Sequence, residues 1–458
     1  MAPADTRTSD RDGQPRSSLR TVVVSSFIGT TIEWYDFFLY GTAAALVFSD
    51  LFFPQADDAA GVLASFATFA VGYAARPIGG LIFGHFGDRV GRKRMLVLSL
   101  LIMGAATFAI GLLPTYDTIG VFAPILLVLM RVLQGIGIGG EWGGAVLMSV
   151  EYSPNGKRGF YGSFPQMGVP MGLLLSTGVF ALVRQLTTDE SFDSFGWRIP
   201  FLLSGVLIVV GYYVRQKLTE SPVFDEVKTT NSESRKPLVD VVRAYPRQLI
   251  VGAGMRAAEN VIFPVYTVFL FTFGDSVGIA EGTLLTAVII SSSIGLLSIP
   301  AWAALSDRFS RRTVYMAGAV FSTLFAFPFF WLVDTGAPVL VWLAVLLGVN
   351  VGHNLMYGPQ AALFAELFGT RVRYSGVSMV YQITGVFAGG LAPLIAVSLL
   401  TANDGDPALV ALYVAAVSVI AIIATYFVPR VNLADLNADE TEQRLGRRAS
   451  RGTDASAV

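Results

Sequence analysis

The feature that most constrains this chain is a series of apolar runs, each about as long as a bilayer is thick. Crossing the hydrocarbon core takes roughly 20 mostly apolar residues as a helix. Such runs lie near 21–48, 62–86, 95–113, 119–149, 159–183, 199–217, 247–271, 282–304, 313–333, 338–366, 376–400 and 408–428. In lipid each backbone polar group must be satisfied within its own segment, so the runs are expected to be helices. The predicted fold is therefore an all-α membrane protein with twelve transmembrane helices. Composition agrees: 53% of the residues are hydrophobic and 14% charged, with a mean hydropathy of +0.60. A soluble chain carries about 25% charged residues. With no cysteine and only His85 and His353, disulfides, thiolate metal sites and histidine-rich zinc centres are excluded. A net charge of −1 offers no field for nucleic acid. No metal or organic cofactor is expected. The run starting near Thr21 is too long for a signal-peptide core and lacks a small-residue cleavage pattern, so it is expected to be retained.

Lys and Arg in short loops set the orientation of a membrane protein. With the N-terminus inside, every Lys and Arg falls in a cytoplasmic segment except Arg184 and Arg198 outside and Arg76, Arg131 and Arg256 within helices. Both termini are then cytoplasmic in a multi-pass protein. The expected organisation is a tail over 1–19, a six-helix bundle over 20–217, a polar linker over 218–246, a second bundle over 247–429 and a tail over 430–458. The halves echo each other. Gly87-Asp88-Arg89-Val90-Gly91-Arg92-Lys93 follows the second helix, and Ser306-Asp307-Arg308-Phe309-Ser310-Arg311-Arg312 follows the eighth. Glu151 and Arg158 after the fourth helix match Glu366 and Arg373 after the tenth. Paired repeats about a central cavity are a common plan among secondary transporters.

A charge in the bilayer interior costs about 2.5–3.5 kcal/mol on insertion scales, so each one needs a role. Glu33 and Asp36 on the first helix are three apart and share a face. Arg76 on the second helix lies at similar depth, and a pair with Asp36 or Glu33 is plausible, as a site or as a permanent structural ion pair. Arg131 and Glu141 are ten residues apart on the fourth helix, about 15 Å along its axis, and cannot satisfy each other. The seventh helix supplies Arg256, Glu259 and Asn260, of which the first two can pair locally. The tenth offers His353, Asn354, Tyr357 and Gln360; a lone membrane histidine is more often a packing residue than a proton carrier.

Three arginines thus face four carboxylates, Glu33, Asp36, Glu141 and Glu259, leaving one excess negative charge. Burial disfavours the charged form of an acid, so each of the four is a candidate proton carrier. An arginine released when its partner is protonated can take a substrate carboxylate in two hydrogen bonds. The candidate substrate contacts are Arg76, Arg131, Arg256, Asn260, His353, Asn354 and Tyr357, with an aromatic wall from Trp34, Tyr35 and Trp142. That wall suits a cyclic hydroxy acid, or a quaternary ammonium by cation–π contact. Gly135-Ile136-Gly137-Ile138-Gly139-Gly140 matches a dinucleotide-binding pattern, but it lies inside a membrane helix without a preceding strand. Helix packing is the expected role of those glycines.

Gly84-His85-Phe86-Gly87-Asp88-Arg89-Val90-Gly91-Arg92-Lys93-Arg94 resembles the helix two–three loop motif of the major facilitator superfamily at every specified position. Glu33-Trp34-Tyr35-Asp36-Phe37, Arg76-Pro77, Arg131 with Gln134-Gly135, Gly140-Glu141-Trp142, Gly196-Trp197-Arg198-Ile199-Pro200-Phe201, Glu220-Ser221-Pro222 and Arg373-Tyr374-Ser375-Gly376 are similar to the metabolite:H⁺ symporter family, and among its members to shikimate-type permeases. The resemblance implies proton-coupled uptake of a small organic acid across a bacterial inner membrane, by a protein working as a monomer and without enzyme activity. It also implies a latch of Gly84, Asp88, Arg89, Gly91, Arg92, Glu151 and Arg158, mirrored by Asp307, Arg308, Glu366 and Arg373. Ser310 stands where Gly91 does, which leaves the mirror copy open. Three alternatives remain: a symporter of a zwitterion such as proline or betaine, a proton-driven exporter, and a metabolite receptor that moves nothing.

Overall fold

A computed structural model describes residues 18–55, 58–220 and 237–428. The expected tails and most of the linker lie outside those residues, as do Ser221 and Pro222 of the Glu220 motif. Twelve long helices follow one another: α1 Leu19–Leu46, α2 Asp58–Val90, α3 Arg92–Leu112, α4 Phe122–Glu151, α5 Arg158–Leu186 and α6 Arg198–Gln216. A short helix, Pro237–Ala244, precedes α7 Pro246–Ser276, α8 Glu281–Phe309, α9 Arg311–Asp334, α10 Pro338–Leu367, α11 Arg373–Ala402 and α12 Ala408–Tyr426. Ten of the twelve are long and apolar enough to cross a membrane; α1 and α2, at 28 and 33 residues, match the others in length.

Within the first six helices α1 packs on α5, α2 on α4, and α3 on α4 and α6; within the last six, α12 packs on α7 and α9, and α10 on α8 and α9. The two sets meet chiefly where α2 crosses α11 and where α5 crosses α8. The glycines of α4 serve this packing, as their spacing predicts. A Cβ at Gly139 would lie 2.7 Å from the backbone nitrogen of Gly80 on α2, and one at Gly137 would lie 2.8 Å from Met103 Cβ on α3. Such approaches exclude any side chain. In the second set, α7, α10 and α11 each carry a π-helical turn, at Val265–Phe269, Gly348–His353 and Gly385–Gly390. A turn of this kind interrupts the ordinary ladder and often marks a functional site.

The repeated loop reads out in backbone conformation. Gly91, between α2 and α3, has φ 124° and ψ 148°; Ser310, between α8 and α9, has φ 86° and ψ 139°. The two copies are therefore equivalent in shape, and the missing glycine does not break the symmetry. Ser310 holds a conformation that glycine adopts without steric cost and other residues adopt at about 1–3 kcal/mol. Its Oγ accepts from the Thr313 backbone nitrogen at 3.4 Å, a weak cap on α9. Gly91→Ala should accordingly lower the thermal midpoint of the detergent-solubilised protein by an amount matching about 1–3 kcal/mol, while Ser310→Gly should leave it unchanged or raise it. A differential scanning measurement on the two variants checks both signs.

Candidate functional site

At the end of the bundle that carries Asp88, the two halves are joined by two matching sets of contacts. Asp88 accepts from the backbone nitrogens of Tyr374 and Ser375, at 3.2 and 2.9 Å, and from Ser375 Oγ at 2.8 Å. These are the first turn of α11, so a carboxylate from one half caps a helix of the other and meets the positive end of its dipole. Asp307 does the same in reverse, accepting from the backbone nitrogens of Gly159 and Phe160 at the start of α5, at 2.8 and 2.9 Å. Gly84 and Gly87 allow the approach: a Cβ at Gly84 would lie 3.1 Å from Ser375 Cα, and the Tyr374 ring lies against Gly87.

The arginines follow the same two-fold pattern. Glu151 is shared between Arg92 of its own half and Arg373 of the other, the latter at 3.1 Å. Glu366 forms an ion pair with Arg311 at 3.1 Å, Arg311 also reaches Asp307 at 3.3 Å, and Arg158 lies within electrostatic reach of Glu366. Arg89 and Arg308, counted in the latch from the sequence, are instead exposed. The cross-half ion pair belongs to Arg373, with Arg158 near Glu366 as its mirror; Arg92 and Arg311 hold the same two carboxylates from within their own halves, and Arg311 was legible as the counterpart of Arg92 in the repeated motif. Glu220 is a further contributor: its carboxylate accepts from the Arg92 backbone nitrogen at 3.0 Å and so caps α3.

About eight residues deeper along the helices, or roughly 12 Å, an aromatic layer crosses the centre. Trp142 of α4 stacks on Tyr381 of α11 with ring centroids 3.6 Å apart, and the Arg256 guanidinium sits 3.5 Å from the Tyr381 ring. Gln166 of α5 ties the layer together. It accepts from Trp142 Nε1 at 2.5 Å and donates to the Tyr357 carbonyl at 3.1 Å. Gln382 donates to the Gly139 carbonyl at 2.9 Å across the same boundary. Gln166, Tyr381 and Gln382 are uncharged and sit among apolar neighbours in the sequence, so nothing in their local pattern marks them.

The buried arginines sort into two ion pairs, one sealed site and one exception. Arg256 pairs with Glu259, as their spacing predicts, and donates to Gln360 at 3.0 Å. Glu141 pairs with Arg215, and Ser99 donates to it at 3.0 Å. Arg215 is 2% exposed although it stands in the last turn of α6, where a long basic side chain ordinarily reaches outward. It changes the charge count. Four intramembrane arginines face four carboxylates, and the interior balances where the sequence count left one negative charge over. Arg131 is fully buried, hydrogen-bonded to Gln134 and 4.1 Å from the Tyr40 ring, inside the first six helices. Asp36 is fully buried there too; it accepts from Ser204 of α6 at 2.6 Å and stands in no ion-pair contact with Arg76. Tyr35 also turns away from the centre, donating to the Pro200 carbonyl at 2.9 Å, so the aromatic wall is made by Trp34, Tyr73, Trp142 and Tyr381 without it.

Arg76 is the exception. It is 5% exposed, its guanidinium lies 4.2 Å from the Phe37 and Tyr73 rings and 5.5 Å from Trp34, and its Nε and Nη2 have no hydrogen-bond partner. Glu33, 2% exposed with Oε2 unpartnered, is within electrostatic reach but outside ion-pair distance. Beside them Val169, Ile299 and Tyr357 pack against Trp34 and Phe263 and border a small pocket that Ser292, His353 and Asn354 also line. Asn354 is engaged with Ser298 at 2.9 Å and Asn350 at 3.1 Å, and so helps hold α8 to α10, while His353 is engaged with Asn354 at 2.7 Å. Asn260 faces Gly389, and the neighbouring Gly390 faces Tyr73. Among the described residues no group of three His, Asp or Glu is placed to hold a metal ion.

This architecture has counterparts. Residues 26–393 match the description "Major Facilitator Superfamily". The chain belongs to that superfamily. It is 43% identical to the shikimate transporter of Escherichia coli K12 over 87% of this chain and 92% of that protein. It is 44% identical to the inner membrane metabolite transport protein YhjE of the same strain, over 93% of this chain and 97% of that one. Among solved structures, the proton:xylose symporter XylE bound to 6-bromo-6-deoxy-D-glucose superposes with a TM-score of 0.71 over 90% of this chain and 96% of XylE. At 17% identity that likeness speaks for the fold alone. The protein is a multi-pass membrane transporter with twelve helices, not an enzyme.

Replacing Asp88 by Asn removes the charge that meets α11, at a cost of about 1.5–3 kcal/mol to the joined state. The chain has no native cysteine, so a single Ser292→Cys probe in the pocket is clean. Its labelling from the end opposite Asp88 should fall in the Asp88→Asn background; an unchanged rate would show that Asp88 does not set the balance between the two halves.

Proposed function

We propose that this protein is a proton-coupled importer of a small organic acid, working by alternating access with the Asp88 end and both termini in the cytoplasm. The observation that carries this is Arg76: a buried guanidinium held among aromatic rings, with two nitrogens unpartnered and no carboxylate in ion-pair contact. An uncompensated intramembrane charge is too costly to keep for structure alone. A substrate carboxylate supplies the missing partner, and guanidinium takes it in two parallel hydrogen bonds.

The balanced interior supplies the coupling. With four arginines and four carboxylates, an arriving anion leaves the site one negative charge in excess. Glu33 shares the field of Arg76, so a carboxylate on Arg76 takes away what stabilises the charged form of Glu33, and one proton restores neutrality. Glu141 and Glu259 are held in ion pairs, which leaves Asp36, with Oδ2 unpartnered, as the other candidate carrier. Once neutral, the loaded site crosses as a unit: the Asp88 and Asp307 caps release α11 and α5, and the opposite end closes. The identity with the shikimate transporter supports an acid as the substrate class.

In reconstituted protein, Arg76→Gln should abolish acid binding and uptake together. Glu33→Gln should lose uphill accumulation while retaining exchange between two loaded compartments, because a permanently neutral residue still permits movement but cannot couple it. Accumulation that survives in Glu33→Gln and fails in Asp36→Asn assigns the proton to Asp36. Accumulation that survives both, or acid binding that survives Arg76→Gln, contradicts the proposal.

A further inference from the structure

The Glu141–Arg215 pair stands one helical turn from Glu33. A Cβ at Gly29 of α1 would lie 3.0 Å from Glu141 Oε1 and in the path of the Arg215 guanidinium, so both groups press on α1 at that residue. Glu33 follows Gly29 by four residues and shares its face of the helix. A helical side chain leans toward the N-terminus of its helix, over the preceding turn. The Glu33 carboxylate therefore reaches back toward Glu141 rather than away from it. In keeping with that placement, Glu141 is the strongest charge acting on Glu33, ahead of Arg76, Arg215 and Asp36. Four charges thus run in sequence through the first half: Arg76 on α2, Glu33 on α1, Glu141 on α4 and Arg215 on α6.

Two neighbouring carboxylates titrate as a unit, because each disfavours the charge of the other. With a cation at either end of the row, a shared proton goes to whichever acid has lost its arginine. An anion on Arg76 sends it to Glu33. When the anion leaves, Arg76 again favours the charged form of Glu33, and the proton's next place is Glu141. Arg215 is arranged to permit this: it donates to the Leu96 carbonyl as well as to Glu141, so it keeps a partner when Glu141 is neutral. The other groups facing the pair are Asp36, which accepts from Ser204, the phenols of Tyr357 and Tyr381 near Glu33, and that of Tyr374 near Glu141. We infer that Glu141 is the second station of the coupled proton: the O–H bond on Glu33 breaks, one forms on Glu141, and the proton then passes to cytoplasmic water as Glu141 returns to Arg215. Arg215 is the positioning residue that keeps Glu141 charged until the proton arrives. This rests on the proposed coupling at Glu33 and adds the way out, which runs inside the first half and apart from the Asp88 contacts.

The test measures binding to the purified full-length protein and uptake into proteoliposomes for shikimate, 2-oxoglutarate and acetate; the acid that the native protein accumulates is carried through the variants. Glu141→Gln and Arg215→Gln should each still bind that acid and exchange it between loaded compartments, yet lose uphill accumulation. Arg215→Lys, which keeps the charge, should regain part of it. The deciding variant is the neutral double, Glu141→Gln with Arg215→Gln. If the pair only braces the helices, removing both charges relieves the unpaired one and accumulation returns. A proton station is missing from the double as from the single, so accumulation should stay absent while exchange persists. Restored accumulation overturns the inference and leaves the importer proposal standing. Loss of exchange in the double does the same, since the pair would then serve movement rather than coupling. Where the double does not fold, Glu141→Asp decides: aspartate is the stronger acid, so the pH profile of uptake should move toward acid, and an unchanged profile overturns the inference. If the native protein binds and accumulates none of the three acids, both proposals fall.

Discussion

A guanidinium buried among aromatic rings without a carboxylate against it organises the interior of this protein. Every other intramembrane arginine has been given a partner or sealed inside a bundle: Arg215 reaches back from the end of α6 to Glu141, Arg256 meets Glu259 one turn along α7, and Arg131 lies against Gln134 and Tyr40. Arg76 is kept on cation–π contacts, which stabilise a desolvated cation by about 2 kcal/mol and leave its hydrogen-bonding edge open. A site built this way is incomplete by its chemistry, and in the proposed mechanism the anion that completes it upsets the charge balance that the rest of the interior maintains. In that proposal, proton uptake follows from the imbalance without further machinery.

The second organising contact is the pair of exchanged helix caps. Asp88 and Asp307 each leave their own half to satisfy the first turn of a helix in the other. Helix N-termini carry unsatisfied N–H groups wherever they occur, so when the halves separate these donors and both carboxylates must be rehydrated. The contact is strong while formed, and its parts are at no great cost when exposed at a membrane surface. That makes it suited to a state that must form and break in each cycle. The aromatic layer of Trp142, Tyr381 and Arg256 lies deeper, on the same route, and closes the centre a second time.

Much of this was legible in the sequence, and the misses have physical causes. Twelve apolar runs, the two-fold loop motif and the Arg256–Glu259 pair depend on spacing along one helix or one loop, which the sequence states directly. Arg215 was missed because the last turn of a helix is where a basic side chain is normally solvated. Its burial depends on Gly29 of α1, where a Cβ would stand 3.0 Å from Glu141 Oε1 and in the path of the guanidinium. Asp36 and Glu33 share a helix face on paper, yet Ser204 draws Asp36 into the first bundle while Glu33 stays beside Arg76. Tyr35 likewise follows the Pro200 carbonyl rather than the cavity. Each of these turns on a partner from a distant helix, and neutral partners such as Ser204, Gln166 and Gln382 carry no signature of their own. Ser310 shows the reverse case: the motif lacks its glycine, but the backbone keeps the shape.

The central claim is that the loaded interior stays neutral, with one proton for each carboxylate. It is tested most directly by uptake of a small organic acid into proteoliposomes under independently imposed pH gradients and membrane potentials. The account predicts uphill accumulation that follows an acid-outside gradient, collapses with a protonophore and is indifferent to the potential. Accumulation driven by the potential alone would contradict the charge balance. Faster exit of preloaded solute under the acid-outside gradient would make the protein an exporter, and no movement in either direction would leave it a receptor.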